Sequence, residues 1–443
     1  MITFKETGLG NDMLKAVNEL GFVNPTPVQE QTIPAILKSE KDVIALAQTG
    51  TGKTAGFGLP VLEKISENTK QVQAIVLCPT RELCLQITKD LTNYSKFKGH
   101  VSVAAVYGGS SIDTQIRKLK KGVQIVVGTP GRTLDLIKRN ALKINHIKWL
   151  ILDEADEMLN MGFRDDMDAI LENTPKEKQT LLFSATMPKG VRNIASQYMN
   201  NPEEISIGKK NIGAENVNHV YYVVKASDRY NALKRLADIH PDIYGIVFCR
   251  TRGETKEVAA KFIQDGYSAD ALHGELSQAQ RDQVMLRFRS NKIQLLVATD
   301  VAARGLDIND LTHVINYNLP DDLEAYIHRS GRTGRAGKLG TSIIISHSRE
   351  GRKIQELEKL VGKKFEQLPV PTGKEVCEKR LYNLMDNIEN IDVNNEEIAP
   401  YMKAINNKLG WIDRDELLKR FVYVEFNRFL EYYKKDNDMI VSK

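Results

Sequence analysis

The sequence predicts an α/β protein made of two tandem parallel sheets flanked by helices, followed by a helical extension. Two observations carry the doubled sheet. Short β-branched apolar runs alternate with helix-like stretches, as in strands buried on both faces. The chain also echoes itself. Ile75-Val76-Leu77-Cys78-Pro79-Thr80-Arg81 resembles Ile246-Val247-Phe248-Cys249-Arg250-Thr251-Arg252, and Gln124-Ile125-Val126-Val127-Gly128-Thr129 resembles Gln294-Leu295-Leu296-Val297-Ala298-Thr299. The two members are 49 residues apart in the first copy and 48 in the second, so one fold is used twice. A third observation sets off the end of the chain, where apolar residues past Glu366 recur at helical spacing. At 443 residues the chain exceeds one core, and the expected segments are 1–207, 208–365 and 366–443.

Charge is unevenly spread. The net formal charge is +5, yet residues from Glu366 onward carry 12 Lys and Arg against 15 Asp and Glu, leaving 50 against 42 for residues 1–365. A bound polyanion therefore belongs on the front part. The four cysteines form no CxxC pair, which suits reduced thiols inside a cell. The N-terminus has no signal pattern and no apolar run reaches membrane-spanning length, so the expected location is cytoplasmic, with no membrane partner.

The first copy opens on the apolar run Asp42 to Leu46, then Ala47-Gln48-Thr49-Gly50-Thr51-Gly52-Lys53-Thr54, then a helix-like stretch from Ala55 to Ile65. Strand, glycine-rich turn and helix make a phosphate-binding loop. Thr49, Gly50, Thr51 and Gly52 let backbone amides curl around a polyphosphate, Lys53 reaches the β and γ phosphates, and Thr54 offers a hydroxyl to Mg²⁺. Only the first copy has this loop, so one nucleotide serves both, seated beyond the carboxyl ends of the strands. A second buried strand, Trp149 to Leu152, ends in Asp153-Glu154-Ala155-Asp156. Asp153 is assigned to the metal shell and Glu154 to the attacking water. Without the phosphate loop upstream, the same acidic run would read as a solvated loop.

The Ala47 to Thr54 loop, Asp-Glu-Ala-Asp, Ser184-Ala185-Thr186 and His328-Arg329-Ser330-Gly331-Arg332-Thr333-Gly334-Arg335 together resemble the DEAD-box ATP-dependent RNA helicases, in order from Phe4 to about Arg335. The resemblance implies two RecA-like domains that close around ATP and a single strand of RNA. Alanine at the first loop position departs from the strict phosphate-loop pattern and is usual in that family. Gly21 to Gln29 resembles the family's adenine-reading motif, with Phe4 upstream. Gln29 can pair with one edge of adenine, and Phe22 can stack on the ring. A wrong base would leave a buried polar group unpaired, at roughly 1–3 kcal/mol.

Strand ends rich in glycine, hydroxyls and guanidinium groups suit a phosphodiester backbone and read no base edge. In the first copy these are Pro79, Thr80 and Arg81, Gly108 and Gly109, and Thr129, Gly131 and Arg132. The second copy matches the family at Arg250, Gln280, Arg281, Thr299, Asp300, Arg304 and Gly305 on the RNA side, with Asp307 facing the nucleotide. The lone His273 reads equally well as a structural hydrogen-bonding residue. Ser184 and Thr186 can bridge to the Asp153–Asp156 turn, and with His328 the resemblance assigns them to coupling. Arg332 and Arg335, three residues apart, lie on one face and suit the spread charge of a transferring phosphoryl group. Coming from the other copy, they reach the γ-phosphate only when the halves close, so ATP and RNA strengthen each other's binding.

The expected activity is RNA-dependent ATP hydrolysis with non-processive duplex unwinding. An ATP-gated RNA clamp that seldom unwinds is the alternative reading, and unwinding assays separate the two. In the extension, Ile398, Tyr401, Met402, Ile405 and Leu409 share one helical face. Asp413 and Glu416 read as a capping pair starting a longer helix with a wide apolar stripe, from Leu417 to Tyr433. Two readings stay open for this stripe: packing within the tail or on the second sheet domain, and a homodimer interface through residues 370–443. Some bacterial members of the family build such an interface from a comparable extension.

Overall fold

A computed structural model describes residues 2–48, 50–99, 101–207, 216–303, 308, 311–334, 338–391 and 395–435. The first lobe contains β1 (Val43–Leu46), β2 (Ala74–Leu77), β3 (Val103–Val106), β4 (Ile125–Gly128), β5 (Trp149–Asp153), β6 (Gln179–Ser184) and β7 (Glu203–Ser206). The second contains β8 (Val217–Val223), β9 (Gly245–Phe248), β10 (Ala269–Leu272), β11 (Leu295–Ala298), β12 (His313–Asn316), β13 (Gly340–Ser346) and β14 (Glu366–Gln367). The spatial orders are β3-β4-β2-β5-β6-β1-β7 and β10-β11-β9-β12-β13-β8-β14. Adding seven to each label of the first sheet gives the second, so the two lobes share one topology. The sequence echo falls on β2 with β4 and on β9 with β11, which are paired parallel neighbours in both sheets.

Every residue of β1, β2, β4, β5 and β6 is buried, which requires helices on both faces of the sheet. One layer of core packs around Phe57, Ile87 and Val127, the other around Ile75, Leu150 and Ile170. Register then fixes the rim. Leu46 pairs with Ser184, and Asp153 with Phe183, so the exits of β1, β6 and β5 lie side by side. The exits of β2, β4 and β3 form the other half of the same rim. Strand order thus separates the motifs expected to hold nucleotide from those expected to hold RNA. No helix among the described residues is long and apolar enough to cross a membrane.

The extension folds as helices Gly373–Asn390, Asn395–Leu409 and Arg414–Lys435. Asp413 Oδ1 accepts the Glu416 amide at 2.9 Å, the start expected for the last helix. Docking on the second lobe centres on Asp238, 1% exposed, in the helix Arg229–Ile239. Its carboxylate accepts from Arg380 Nη2 at 3.0 Å, Lys234 Nζ at 3.3 Å, and the hydroxyls of Tyr267 and Tyr433. Nearby, buried Arg235 donates to Pro371 O at 3.0 Å, and Val376, Phe426 and Tyr433 are buried. The apolar stripe of the last helix is therefore divided. Its C-terminal part docks, whereas Leu417, Leu418, Phe421 and the whole Ile398-to-Leu409 face stay exposed. The side chain of Phe429 lies outside the described residues.

Two stability predictions follow from buried polar groups of the second lobe. Asp238→Ala strands Arg380 and Lys234 without their carboxylate and should cost about 3–5 kcal/mol. Hydrogen exchange should show the helix Gly373–Asn390 losing protection first. His219 Nδ1 is hydrogen-bonded to Tyr326 Oη at 2.7 Å, the ring stacks on Phe365, and burial pushes its pKa down to about 4. The unfolded imidazole takes a proton near pH 6.5, so this stabilisation is complete above that pH and drains away toward pH 4. Between pH 7.5 and 5, urea unfolding should show wild type losing about 2 kcal/mol more than His219→Gln.

Candidate nucleotide site and interlobe cleft

The phosphate loop leaves β1 and turns through Gly50 (φ 79°) and Gly52 (φ 86°), both left-handed, before the helix Lys53–Lys64. Gly52 has a second reason to be glycine. Its carbonyl accepts from Gln29 Nε2 at 3.0 Å, and a Cβ there would sit 2.3 Å from that nitrogen. Gln29 Oε1 in turn accepts the Thr26 amide at 3.0 Å, so the predicted adenine reader ties the loop to its own helix start. Phe4 is buried and stacks on Phe22 at 6.4 Å, with Tyr94 edge-on to Phe22. Thr51 Oγ1 closes the turn on Gln48 O at 2.7 Å. Thr49 lies outside the described residues.

Lys53 is 6% exposed, and among the described residues its Nζ has no hydrogen-bond partner. A buried, unpaired ammonium is costly unless an anion meets it. Facing it, Asp153 ends β5 at 3% exposure, and burial pushes its pKa up to about 7 against the pull of Lys53. Thr54, in the first turn of the helix, and Asp153 are the oxygen donors available to a cation. Among the described residues no three acidic, histidine or cysteine side chains cluster as a protein-only metal cage. Glu154 is held at φ 51°, a left-handed conformation unusual for a non-glycine residue, and its amide donates to Asp153 Oδ1 at 3.0 Å.

Asp156 is the hub behind this turn. Thr186 donates to its Oδ2 from both amide (2.9 Å) and hydroxyl (2.8 Å), while the Ser184 hydroxyl is buried without a partner. The expected bridge from the Ser-Ala-Thr turn is thus made by Thr186. Burial raises the Asp156 pKa, but His328, Lys53 and the Thr186 hydrogen bonds outweigh it and hold the carboxyl below its ordinary value.

The second lobe meets this hub across a cleft. The helix Leu323–Ser330 brings His328 Nε2 to 3.7 Å from Asp156 Oδ2 and its Nδ1 to 3.5 Å from Glu157 Oε1. Glu154, Glu157, His328 and Arg332 line one recess with Asp300 and Arg329. Arg335, Arg304, Gly305 and Asp307 lie outside the described residues. Asp300 is differently engaged from its expected RNA contact: both its oxygens bind Arg329 at 2.6 Å. Arg329 is buried and also holds Asn316 Oδ1 and Asn318 O at 2.9 Å, making it a brace for the β12 exit.

On the other half of the rim, Arg81 lies 5.0 Å over the Tyr107 ring and 3.7 Å from Asp282 of the second lobe. Thr80 caps the helix Arg81–Tyr94 by accepting the Leu83 amide, and Cys78 before Pro79 is buried. Gly108 and Gly109 present open backbone, with nothing within 4 Å of an added Cβ. Arg132 donates to Ser110 O and Gln115 Oε1, both at 3.2 Å, while Thr129 and Gly131 flank the start of the helix Pro130–Lys138. In the second lobe Arg250 donates to Leu319 O at 3.3 Å. Gln280 is in a capping box with Ser277. Arg281 donates to Ala302 O at 3.1 Å, and the Thr299 hydroxyl accepts the Ala302 amide at 3.4 Å. His273 Nδ1 accepts the Glu275 amide, the structural role left open for it. Sequence reasoning missed Glu324, Glu157 and Tyr107. Each lies off the motif strings: contacts between the lobes single out Glu324 and Glu157, and the Arg81 guanidinium over its ring within the first lobe singles out Tyr107.

Comparison with known proteins agrees with this geometry. Residues 26–194 match the family described as DEAD/DEAH box helicase, and residues 228–337 match the helicase conserved C-terminal domain. A curated relative, ATP-dependent RNA helicase CshA of Listeria monocytogenes, is 46% identical over 94% of this chain and 80% of its own length. The chain belongs to the DEAD/DEAH box helicase family. It is an ATP-dependent RNA helicase of that family, with the two-sheet architecture expected from its sequence. DEAD-box ATP-dependent RNA helicase CshA of Bacillus subtilis is also 46% identical, over 85% of this chain and 76% of that protein. Residues 376–434 match a domain described as "Probable ATP-dependent RNA helicase, helical domain". Among solved structures, S. cerevisiae Dbp5 bound to RNA and ADP BeF3 superposes with a TM-score of 0.77 at 31% identity, covering 85% of this chain and 99% of that one. Mss116 bound to single-stranded RNA and UDP-BeF gives 0.75 at 26% identity, covering 96% and 88%.

The glycine argument is directly testable in this helicase. Gly52→Ala puts a side chain on Gln29 and into a left-handed conformation worth about 1–3 kcal/mol of strain. Titration with a fluorescent ATP analogue should show affinity reduced about tenfold or more.

Proposed function

We propose that the chain hydrolyses ATP at the rim that holds Lys53 and Asp153, with Arg332 supplied from the second lobe, and couples that step to closure of the two lobes on single-stranded RNA. The observation that carries the reading is the buried ammonium of Lys53, which has no hydrogen-bond partner among the described residues and faces a buried carboxylate. A triphosphate with Mg²⁺ satisfies both groups: phosphate oxygens meet Lys53, and the metal is held by Thr54 and Asp153, partly through water. Mg²⁺ keeps several waters when bound, which suits a site with two protein oxygens. Glu154, adjacent on its strained turn, orients the water. Arg332, with Arg335, neutralises charge on the transferring phosphoryl group.

RNA then lies along the β3-β4-β2 half of the rim, against the open glycines Gly108 and Gly109 and the arginines Arg81 and Arg132. The second lobe adds Arg250, Gln280 and Arg281, and backbone contacts make binding indifferent to sequence. Unwinding is local and non-processive, because each closure captures one short strand and hydrolysis releases it. Glu154→Gln should bind ATP and RNA normally yet turn over at least about a hundredfold more slowly in a phosphate-release assay. Turnover at the wild-type rate would remove Glu154 from its role. RNA-stimulated hydrolysis without strand displacement would move the reading to the RNA clamp.

The extension is read as a dimerisation module. Its support is the set of exposed large apolar side chains on the last two helices, Tyr401, Ile405, Leu409, Leu418 and Phe421, of the kind that marks an interaction surface. Ile405→Glu combined with Phe421→Glu should halve the mass measured by light scattering and leave RNA-stimulated ATPase within about twofold. An unchanged mass would reject the dimer. Three of the four cysteines are buried and all are free, which fits a reducing cytoplasmic home.

A further inference from the structure

The helix Leu323–Ser330 carries Glu324 one turn before His328, so the two side chains share the face turned to the first lobe. Asp322 caps this helix by accepting the Glu324 amide at 3.0 Å, which frees the Glu324 side chain from any capping duty. That side chain is half-buried, and its Oε2 lies 3.0 Å from Thr186 Oγ1 of the first lobe. The same hydroxyl lies 2.8 Å from Asp156 Oδ2. A threonine hydroxyl has one proton to donate, and here two carboxylates from two lobes contend for it.

We propose that Glu324 is the second lobe's partner for Thr186, a positioning residue through which the Asp153–Asp156 turn registers that the lobes have come together. With the lobes apart, Thr186 answers only to Asp156. With them together, Thr186 joins both, and the Ser-Ala-Thr turn is braced from two sides. The contact is satisfied either by a proton on the Glu324 carboxyl, which donates to Thr186 while Thr186 donates to Asp156, or by Thr186 turning its own proton to Glu324. Burial raises the Glu324 pKa and the charges of Asp322 and Asp156 add to that, while the Thr186 hydrogen bond and His328 pull against it; glutamine serves either arrangement, donating through its amide N–H or accepting through its Oε1. His328 lies beside Asp156 and Glu157 on the same helical face, so the two residues grip one hub at two points.

The inference rests on the proposed closure, and its test keeps the two apart. Full-length protein carrying a fluorophore on each lobe is titrated with single-stranded oligo(U) RNA in a nonhydrolysable ATP analogue, as wild type, Glu324→Ala and Glu324→Gln. Losing one interlobe hydrogen bond to a carboxyl group should raise the RNA concentration for half-closure about tenfold in Glu324→Ala. The KM for RNA in ATP hydrolysis should rise in parallel, with kcat at saturating RNA within about threefold and nucleotide affinity without RNA unchanged. Glu324→Gln, whose amide N–H donates to Thr186 Oγ1, should recover closure to within about threefold of wild type. Thr186→Val with Glu324→Ala should be no worse than Thr186→Val alone, since both remove one contact. An alanine variant that closes and hydrolyses like wild type overturns the proposal, as does a glutamine variant as impaired as alanine. A wild-type protein that does not close under these conditions overturns the closure reading itself, and this inference with it.

Discussion

A lysine ammonium and an aspartate carboxyl are buried at the same rim of one parallel sheet, and the architecture of the first lobe serves to bring them there. Lys53 enters on the turn after β1 and Asp153 at the end of β5, with β6 between them. Neither group is comfortable by itself. The ammonium has no partner, and the carboxyl is pushed toward neutrality by burial. Such strain is tolerated because the hydrophobic layers on both faces of the sheet fix the strand exits independently of what the rim holds. The left-handed residues Gly50, Gly52 and Glu154 fall in the two turns that carry these groups, immediately after β1 and β5.

The second lobe reuses the topology without the phosphate loop, and its contacts with the Asp156 hub are made by one helix. Glu324 and His328 face Thr186, Asp156 and Glu157, and Arg332 follows at the end of that helix. Arg329, on the opposite side, is committed to Asp300, Asn316 and Asn318 and anchors the helix to its own sheet. One short element therefore has an anchoring side and a facing side. This division keeps the facing residues in register with each other. On the far half of the rim, Arg81 and Asp282, and Arg281 and Glu82, make a second set of interlobe pairs, long enough at 3.7 and 3.8 Å to yield to a phosphate backbone.

The helical extension combines tight docking with an unpartnered surface. Asp238 collects four donors in a buried site, and a buried carboxylate satisfied this fully specifies one arrangement of the helices around it. Beyond that node the large apolar residues of the helix Asn395–Leu409 and of the N-terminal part of the last helix are exposed. The docked end sets the direction in which that face points, so any partner would meet the motor at a defined angle.

Most of the fold was legible in the sequence, because parallel strands buried on both faces leave long apolar runs that tolerate little else. The repeated spacing of Ile75 and Gln124 with Ile246 and Gln294 reported a shared topology for the same reason. The phosphate loop and the Asp-Glu-Ala-Asp turn were legible because their chemistry is local, set by residues within a few positions of one another. Glu324 opposite Thr186, Asp300 clamped by Arg329, and the division of the last helix into a docked and an exposed part could not be read in this way. The partners in these contacts are separated by as many as 138 residues in the first case and 29 in the second. Sequence determined which groups are available at each strand end, since period and turn chemistry act over a few residues. Tertiary structure decided which of them meet, because that depends on strand order and lobe placement, which no local pattern encodes.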